Sequence, residues 1–120
     1  MATTLWIAEV LLGAIFLTSG TIKLTQPRTK MAAGPMHWAA DVTDAQFRTI
    51  GALEVLGVLG LILAAATGAP ILTTLAATGL ALTMAGAIAT HARYGETERI
   101  PVPAVLLVVT IFVAIAAQHL

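Results

Sequence analysis

The chain has 120 residues, of which 58% are hydrophobic and 10% charged, and its mean hydropathy is +0.94. Soluble domains carry about 45–50% apolar residues, and one this short has too little interior to hide a larger share. A soluble globule is thereby excluded in favour of an integral membrane protein. Net charge is zero and cysteine is absent, which argues against nucleic acid as a partner and excludes disulfide, thiolate-metal and thiol redox chemistry.

The first predicted element is an apolar span over residues 5–24. It lacks a basic leader, exceeds the length of a signal-peptide core and carries Glu9 and Lys23, so it is expected to stay in the membrane rather than be cleaved. Glu9 lies near one boundary, where headgroup water is in reach. It sits ~21 Å along the helix from Lys23, too far to pair with it. The stretch TSGTIK gives the other end a polar lining of Ser19, Gly20 and Lys23. A lysine at a helix end ordinarily extends to the interface, and Lys23 taken alone reads that way.

Residues 25–46 are too many for a simple turn. Met31, Met36, Trp38 and Val42 among polar neighbours predict an interfacial loop or short helix with Trp38 at headgroup depth. His37, a lone histidine in that loop, reads as neither ligand nor gate.

The second span, residues 47–66, carries the most informative residue. Glu54 follows Phe47 by about two turns, ~10 Å into the membrane. A carboxylate at the centre of a spanning helix costs roughly 2.5–3.5 kcal/mol on insertion scales and marks a functional site with a nearby partner. Gly51, Glu54 and Gly57 lie along one side of this helix, where small neighbours admit another helix or a ligand.

Gly68-Ala69-Pro70 makes a tight connection into a third span, residues 71–91, which is expected to lie antiparallel beside the second. It ends in Thr90 and His91, with Met84 two turns before His91 on the same face. Gly79, Thr83, Gly86 and Thr90 form a stripe of small residues that predicts close helix packing. The fourth span, residues 102–119, has no ionisable residue in its interior and is rich in β-branched side chains, which predicts a wall facing lipid or a second copy. All five prolines fall between spans or at helix starts.

The six basic residues (Lys23, Arg28, Lys30, Arg48, Arg93 and Arg99) all fall on the side holding the first and third connections. The positive-inside rule makes that side cytoplasmic and turns both termini outward. Glu54, Lys23 and His91 then share one leaflet. The expectation is an all-α bundle of four transmembrane helices forming a single membrane domain. A polar pocket in its cytoplasmic half is lined by Ser19, Lys23, Glu54, Met84 and His91. The competing reading makes Glu54 a structural acid that fixes helix register. No metal site is expected.

Four blocks carry a family resemblance: FLTSGTIKLT, IGALEVLGVLGLIL, LAATGLALTMAGAIATHARYGE, and a proline-ended loop before an apolar last span. Their G-x-x-K-L, G-x-L-E and L-x-M-x-G-A-x-x-x-H elements make nearly the whole chain resemble the DoxX family, in particular its short DoxX-like branch of four-helix bacterial membrane proteins. The resemblance implies a bacterial inner-membrane bundle with Lys23, Glu54 and His91 at the family's characteristic polar positions. It also implies an association with quinone-linked membrane redox systems.

The leading functional expectation is therefore an auxiliary subunit of such a system, holding a quinone or similar lipophilic small molecule and contacting the lipid bilayer and membrane or redox partner proteins. Lacking cysteine and any histidine pair inside its spans, the chain is not itself expected to carry electrons. The alternative is an intramembrane acid/base enzyme of isomerase, epoxide hydrolase or cyclase type, with Glu54 and His91 as catalytic residues. A small proton-coupled exporter, suggested by AEVLLG around Glu9, ranks lower because its usual dual insertion conflicts with the charge bias. A structural assembly protein and homo-oligomer formation stay open.

Overall fold

Each long apolar segment forms a helix whose ends are set by identifiable residues. The computed structural model describes residues 2–119 and holds four helices long and apolar enough to cross a membrane, the last counted with its flanking turns. In chain order they are α1 (Ala2–Thr25), the short α2 (Arg28–Ala33), α3 (Asp44–Thr67), α4 (Pro70–Arg93) and α5 (Pro101–Ala116). Short 3-10 turns occupy His37–Asp41, Thr97–Arg99 and Ala117–His119, and there is no strand among the described residues.

α1, α3 and α4 run slightly past the expected spans, α5 ends three residues short of its span in a 3-10 turn, and at α3 a polar cap supplies the extension. At the start of α3 the Thr43 hydroxyl accepts from the Gln46 backbone N–H (3.1 Å) while Gln46 Oε1 accepts from the Thr43 N–H (2.9 Å), a reciprocal cap that adds a turn before Phe47. At its other end Gly68 takes φ +66°, the left-handed conformation that closes a helix, and its N–H donates to Ala64 (2.8 Å). Pro70 and Pro101 open α4 and α5 at positions where the missing N–H has no helical partner.

The bundle is antiparallel throughout. Gly13 and Gly20 of α1 face Val58 and Gly51 of α3, Gly57 and Gly60 of α3 face Leu80 and Ala76 of α4, and Thr74 of α4 donates to the Ala114 carbonyl of α5 (2.8 Å). α5 returns to α1 over a shorter stretch and completes a ring in the order α1, α3, α4, α5.

Packing divides the molecule lengthwise. Leu12, Phe16, Val58, Leu61, Ala77, Leu80, Val113 and Ala116 fill the half that contains the chain ends and the α3–α4 turn. In the other half Lys23, Phe47 and Glu54 are buried, and the helices leave a cleft open beside them. Large apolar residues point outward all round the ring, among them Leu56, Leu75, Leu82, Val105 and Val108, as a bilayer-facing surface requires.

Two sequence expectations about packing are corrected. α5 is not purely an outer wall. Thr110 and Val113 are fully buried against the bundle while Val102, Val105 and Val108 face out, so only one side is a wall. The small-residue stripe on α4 does not pack a helix of this chain either: a methyl group built on Gly79 or Gly86 would meet nothing within 4 Å. Thr83 and Thr90 satisfy their hydroxyls on the carbonyls of those glycines (3.1 and 2.8 Å). Smallness there opens space rather than closing it.

Candidate functional site

The site begins with a backbone approach. Where α1 crosses α3, a methyl on Gly20 would lie 2.8 Å from the Gly51 carbonyl oxygen, and one on Gly51 would lie 2.9 Å from that of Gly20. Only glycine at both positions permits this crossing, and lipid gives helices no hydrophobic reason to approach, so close backbone contact must supply the association. The crossing brings the next turn of each helix together. Lys23 Nζ stands 2.7 Å from Glu54 Oε1 and also donates to Ser19 Oγ at 2.6 Å.

Both charges are out of water. Glu54 is 1% exposed and Lys23 7%, so the lysine turns inward rather than reaching to the interface as it would in isolation. The turn is supported from outside. Arg48 Nη1 donates to the carbonyls of Lys23 (2.7 Å) and Gln26 (2.8 Å), satisfying the unpaired end of α1 and adding positive charge where the helix dipole is negative. In the sequence Arg48 is marked only by its contribution to the charge bias.

One atom is left over. Glu54 Oε2 is buried and has no hydrogen-bond partner among the described residues. An unsatisfied buried acceptor costs about 1–3 kcal/mol, and more when it belongs to a charged group. Native structures tolerate few of these.

Lys23, Ser19 and Glu54 lie on the wall of a cleft of about 750 Å³ that occupies the hollow half of the bundle. This volume is in the range of small-molecule sites, and the lining is mostly apolar with a few convergent polar groups. Thr83, Met84, Gly86 and Thr90 form the α4 side, so the stripe of small residues, apart from Gly79, belongs to the cleft's wall. Ile15 on α1 and Val102 on α5, both cleft residues, are 45% and 66% exposed and mark its rim between those helices.

His91 lines the same cleft but does not join the ion pair. Its Nδ1 lies 3.3 Å from Glu96 Oε1, in the loop between α4 and α5. Among the described residues no hydrogen bond or ion pair joins it to Glu54 or Lys23. The structure thus brings Ser19, Lys23 and Glu54 together, sets Met84 and His91 on the opposite wall, and gives Glu54 and His91 different partners.

Glu96 was missed in the sequence. It gathers His91, His37 (3.8 Å to Oε2) and Arg99 (3.4 Å to Oε2) at the end of the cleft. Arg99 also donates to the Pro35 carbonyl at 2.6 Å. That contact ties down the segment whose Pro35, Met36 and Trp38 cover the cleft end. Trp38 packs on Phe47 with ring centroids 5.7 Å apart, and Arg28 holds the next residue through the Ala39 carbonyl (2.9 Å). The connection between α1 and α3 is therefore fastened over the cleft end by Arg99, Arg28 and the Trp38–Phe47 contact, with His37 exposed beside Glu96.

Glu9 sits at the opposite end of the bundle, in a smaller hollow of about 310 Å³ beside Trp6, Gly68 and Thr73. No group of three or more His, Cys, Asp or Glu placed to hold a metal ion occurs among the described residues.

A profile of the DoxX-like family matches residues 7–113, which takes in α3 and α4 whole, most of α1 and α5, and every residue of the cleft. No curated protein and no solved structure matches the chain.

Proposed function

This chain belongs to the DoxX-like family of membrane proteins, and we propose that it holds the polar headgroup of a lipid-soluble small molecule of quinone type in the cleft beside Lys23 and Glu54. In this reading it serves a membrane redox system as an accessory subunit in a bacterial inner membrane. The observation that carries it is the buried Lys23–Glu54 pair, with one carboxylate oxygen unpartnered, on the wall of an otherwise apolar cleft. A pair serving only helix register would satisfy both oxygens within the bundle. The cleft instead offers apolar walls for a ring and tail, and Lys23, Ser19, Glu54 and His91 for oxygen substituents.

Catalysis by Glu54 and His91 acting as one acid/base pair gains no support from the geometry, since each is engaged elsewhere. The rim between α1 and α5 faces the bilayer, so a lipophile enters sideways without crossing water.

The test is a blocked cleft. Ala87 lines it from α4, is half-buried and makes no side-chain hydrogen bond that a substitution would remove. In lipid nanodiscs, wild-type protein is expected to bind a short-tailed naphthoquinone, supplied as a mixture of oxidised and reduced forms, saturably and at one per chain. Ala87→Phe is expected to abolish that binding with the helical spectrum and melting temperature unchanged. Binding that survives in the variant, or none in the wild type, overturns the proposal.

A further inference from the structure

We infer that the cleft selects a hydroxyl-bearing headgroup, so that of a quinone couple it takes the hydroquinone in preference to the quinone. The inference rests on the reading of the cleft as a headgroup site and adds to it the hydrogen-bonding character of the ligand.

Beside its donors, the cleft lining includes a buried acceptor that no donor of the described residues satisfies. Glu54 Oε1 is occupied by Lys23, which leaves Oε2 as a buried acceptor without a donor. As half of an ion pair, the carboxylate can only accept. With its ring neutral, His91 adds a second acceptor. Its Nδ1 is held by the Glu96 carboxylate at 3.3 Å, and a carboxylate partner fixes the proton on that nitrogen. In the neutral ring Nε2 is then a free lone pair, and it has no hydrogen-bond partner among the described residues.

Donors are present too: Lys23 has a third N–H beyond those given to Glu54 and Ser19, and the Ser19 hydroxyl, which accepts from Lys23, still has its own proton.

A ligand hydroxyl satisfies both kinds of group at once, donating to Glu54 Oε2 while accepting from Lys23 or Ser19. A ketone oxygen can only accept. It would leave Oε2 unpaired and buried more deeply beneath the bound ring. Sites built to hydrogen-bond a hydroxyl reject the analogue lacking it, because the buried partner is then stranded. A second hydroxyl across the ring would find the His91 lone pair on the facing wall. The best complement is thus a flat lipophile with two hydroxyl groups. Glu54 lines the cleft while Oε2 itself is buried, so engaging it requires a rotation of the Glu54 side chain.

Three ligands of nearly one shape separate the possibilities: a short-tailed naphthohydroquinone, its oxidised naphthoquinone and its dimethyl ether, the last two lacking donors. Each is titrated anaerobically into wild-type protein in nanodiscs, and bound ligand is measured by mass spectrometry. The expected result is hydroquinone binding at least ~10-fold tighter than either analogue, as the loss of a hydrogen bond to a buried charged acceptor requires. Glu54→Gln, which places an amide donor near Oε2, is expected to shrink that ratio and improve quinone binding.

Equal binding of all three, or quinone preferred, overturns the inference while leaving the headgroup site standing. Binding of none overturns the site itself. Discrimination that persists unchanged in Glu54→Gln removes Oε2 as its source. Should that variant fail to fold, His91→Phe reports on the second acceptor, and the wild-type comparison decides without either.

Discussion

At the scale of single residues, the chain commits two of its few charges to one buried contact. A pair taken out of water repays its desolvation only with good geometry, and removing one partner leaves an uncompensated charge. Lys23→Met is therefore expected to destabilise the bundle by about 3–5 kcal/mol, read from reversible unfolding in mixed micelles. Lys23→Met combined with Glu54→Leu is expected to recover most of that loss, since it removes the stranded carboxylate too. Should the double variant be as unstable as the single, the cost lies in lost packing and not in Glu54. Glu54 stood out in the sequence because depth makes an acid expensive. Lys23 was legible as a candidate partner in the same leaflet, but a lysine at a helix end normally escapes to the interface, and only the Gly20–Gly51 crossing shows why this one turns in. Glu96 was illegible for another reason: its partners His37, His91 and Arg99 come from separate segments, so no local spacing announces them.

At the scale of helices, identical residue types do opposite work. Gly20 and Gly51 are in backbone contact across α1 and α3, whereas Gly79 faces open space on α4. Gly20→Ala must push apart two backbones that cannot yield by a side-chain rotation. It is expected to lower the unfolding temperature and weaken ligand binding together, by separating Lys23 from Glu54. Gly79→Ala meets nothing and reduces the backbone freedom of the unfolded chain, so it is expected to be neutral or stabilising by up to ~1 kcal/mol. Parallel melting curves of the two variants check both signs, and equal destabilisation would mean that the α4 stripe is covered after all. The four helices were legible because length and apolarity set them, and their caps and prolines fixed the ends. Which glycines pack was not, because a small-residue stripe is the same pattern whether a helix or a cavity lies against it. The α1–α3 connection was legible only as interfacial, since its role as a cover depends on Arg99 and Glu96 reaching it from the far side of the ring.

At the scale of the whole molecule, the solid and hollow halves coincide with the distribution of charge. Every lysine and arginine lies at the hollow end, while the solid end carries the chain ends and the tight α3–α4 turn. Several of these cations have internal work: Lys23 pairs with Glu54, Arg48 closes α1, Arg28 holds the Ala39 carbonyl and Arg99 that of Pro35. Internal partners do not weaken their effect on insertion, which counts Lys and Arg near the span ends and takes little account of acids. The same residues that build the cleft would thus orient it, turning its polar end to the cytoplasm and its rim to the inner leaflet. A lipophile could then reach Glu54 only from that leaflet, and protons only from the cytoplasmic side. Alkaline phosphatase fused after the last helix is expected to be active and a green fluorescent protein fused there dark, with the pattern reversed for fusions in the connection between α1 and α3. Comparable activity of both reporters at one site would mean insertion in two orientations. The cleft would then open to both leaflets, and the exporter reading would regain its footing.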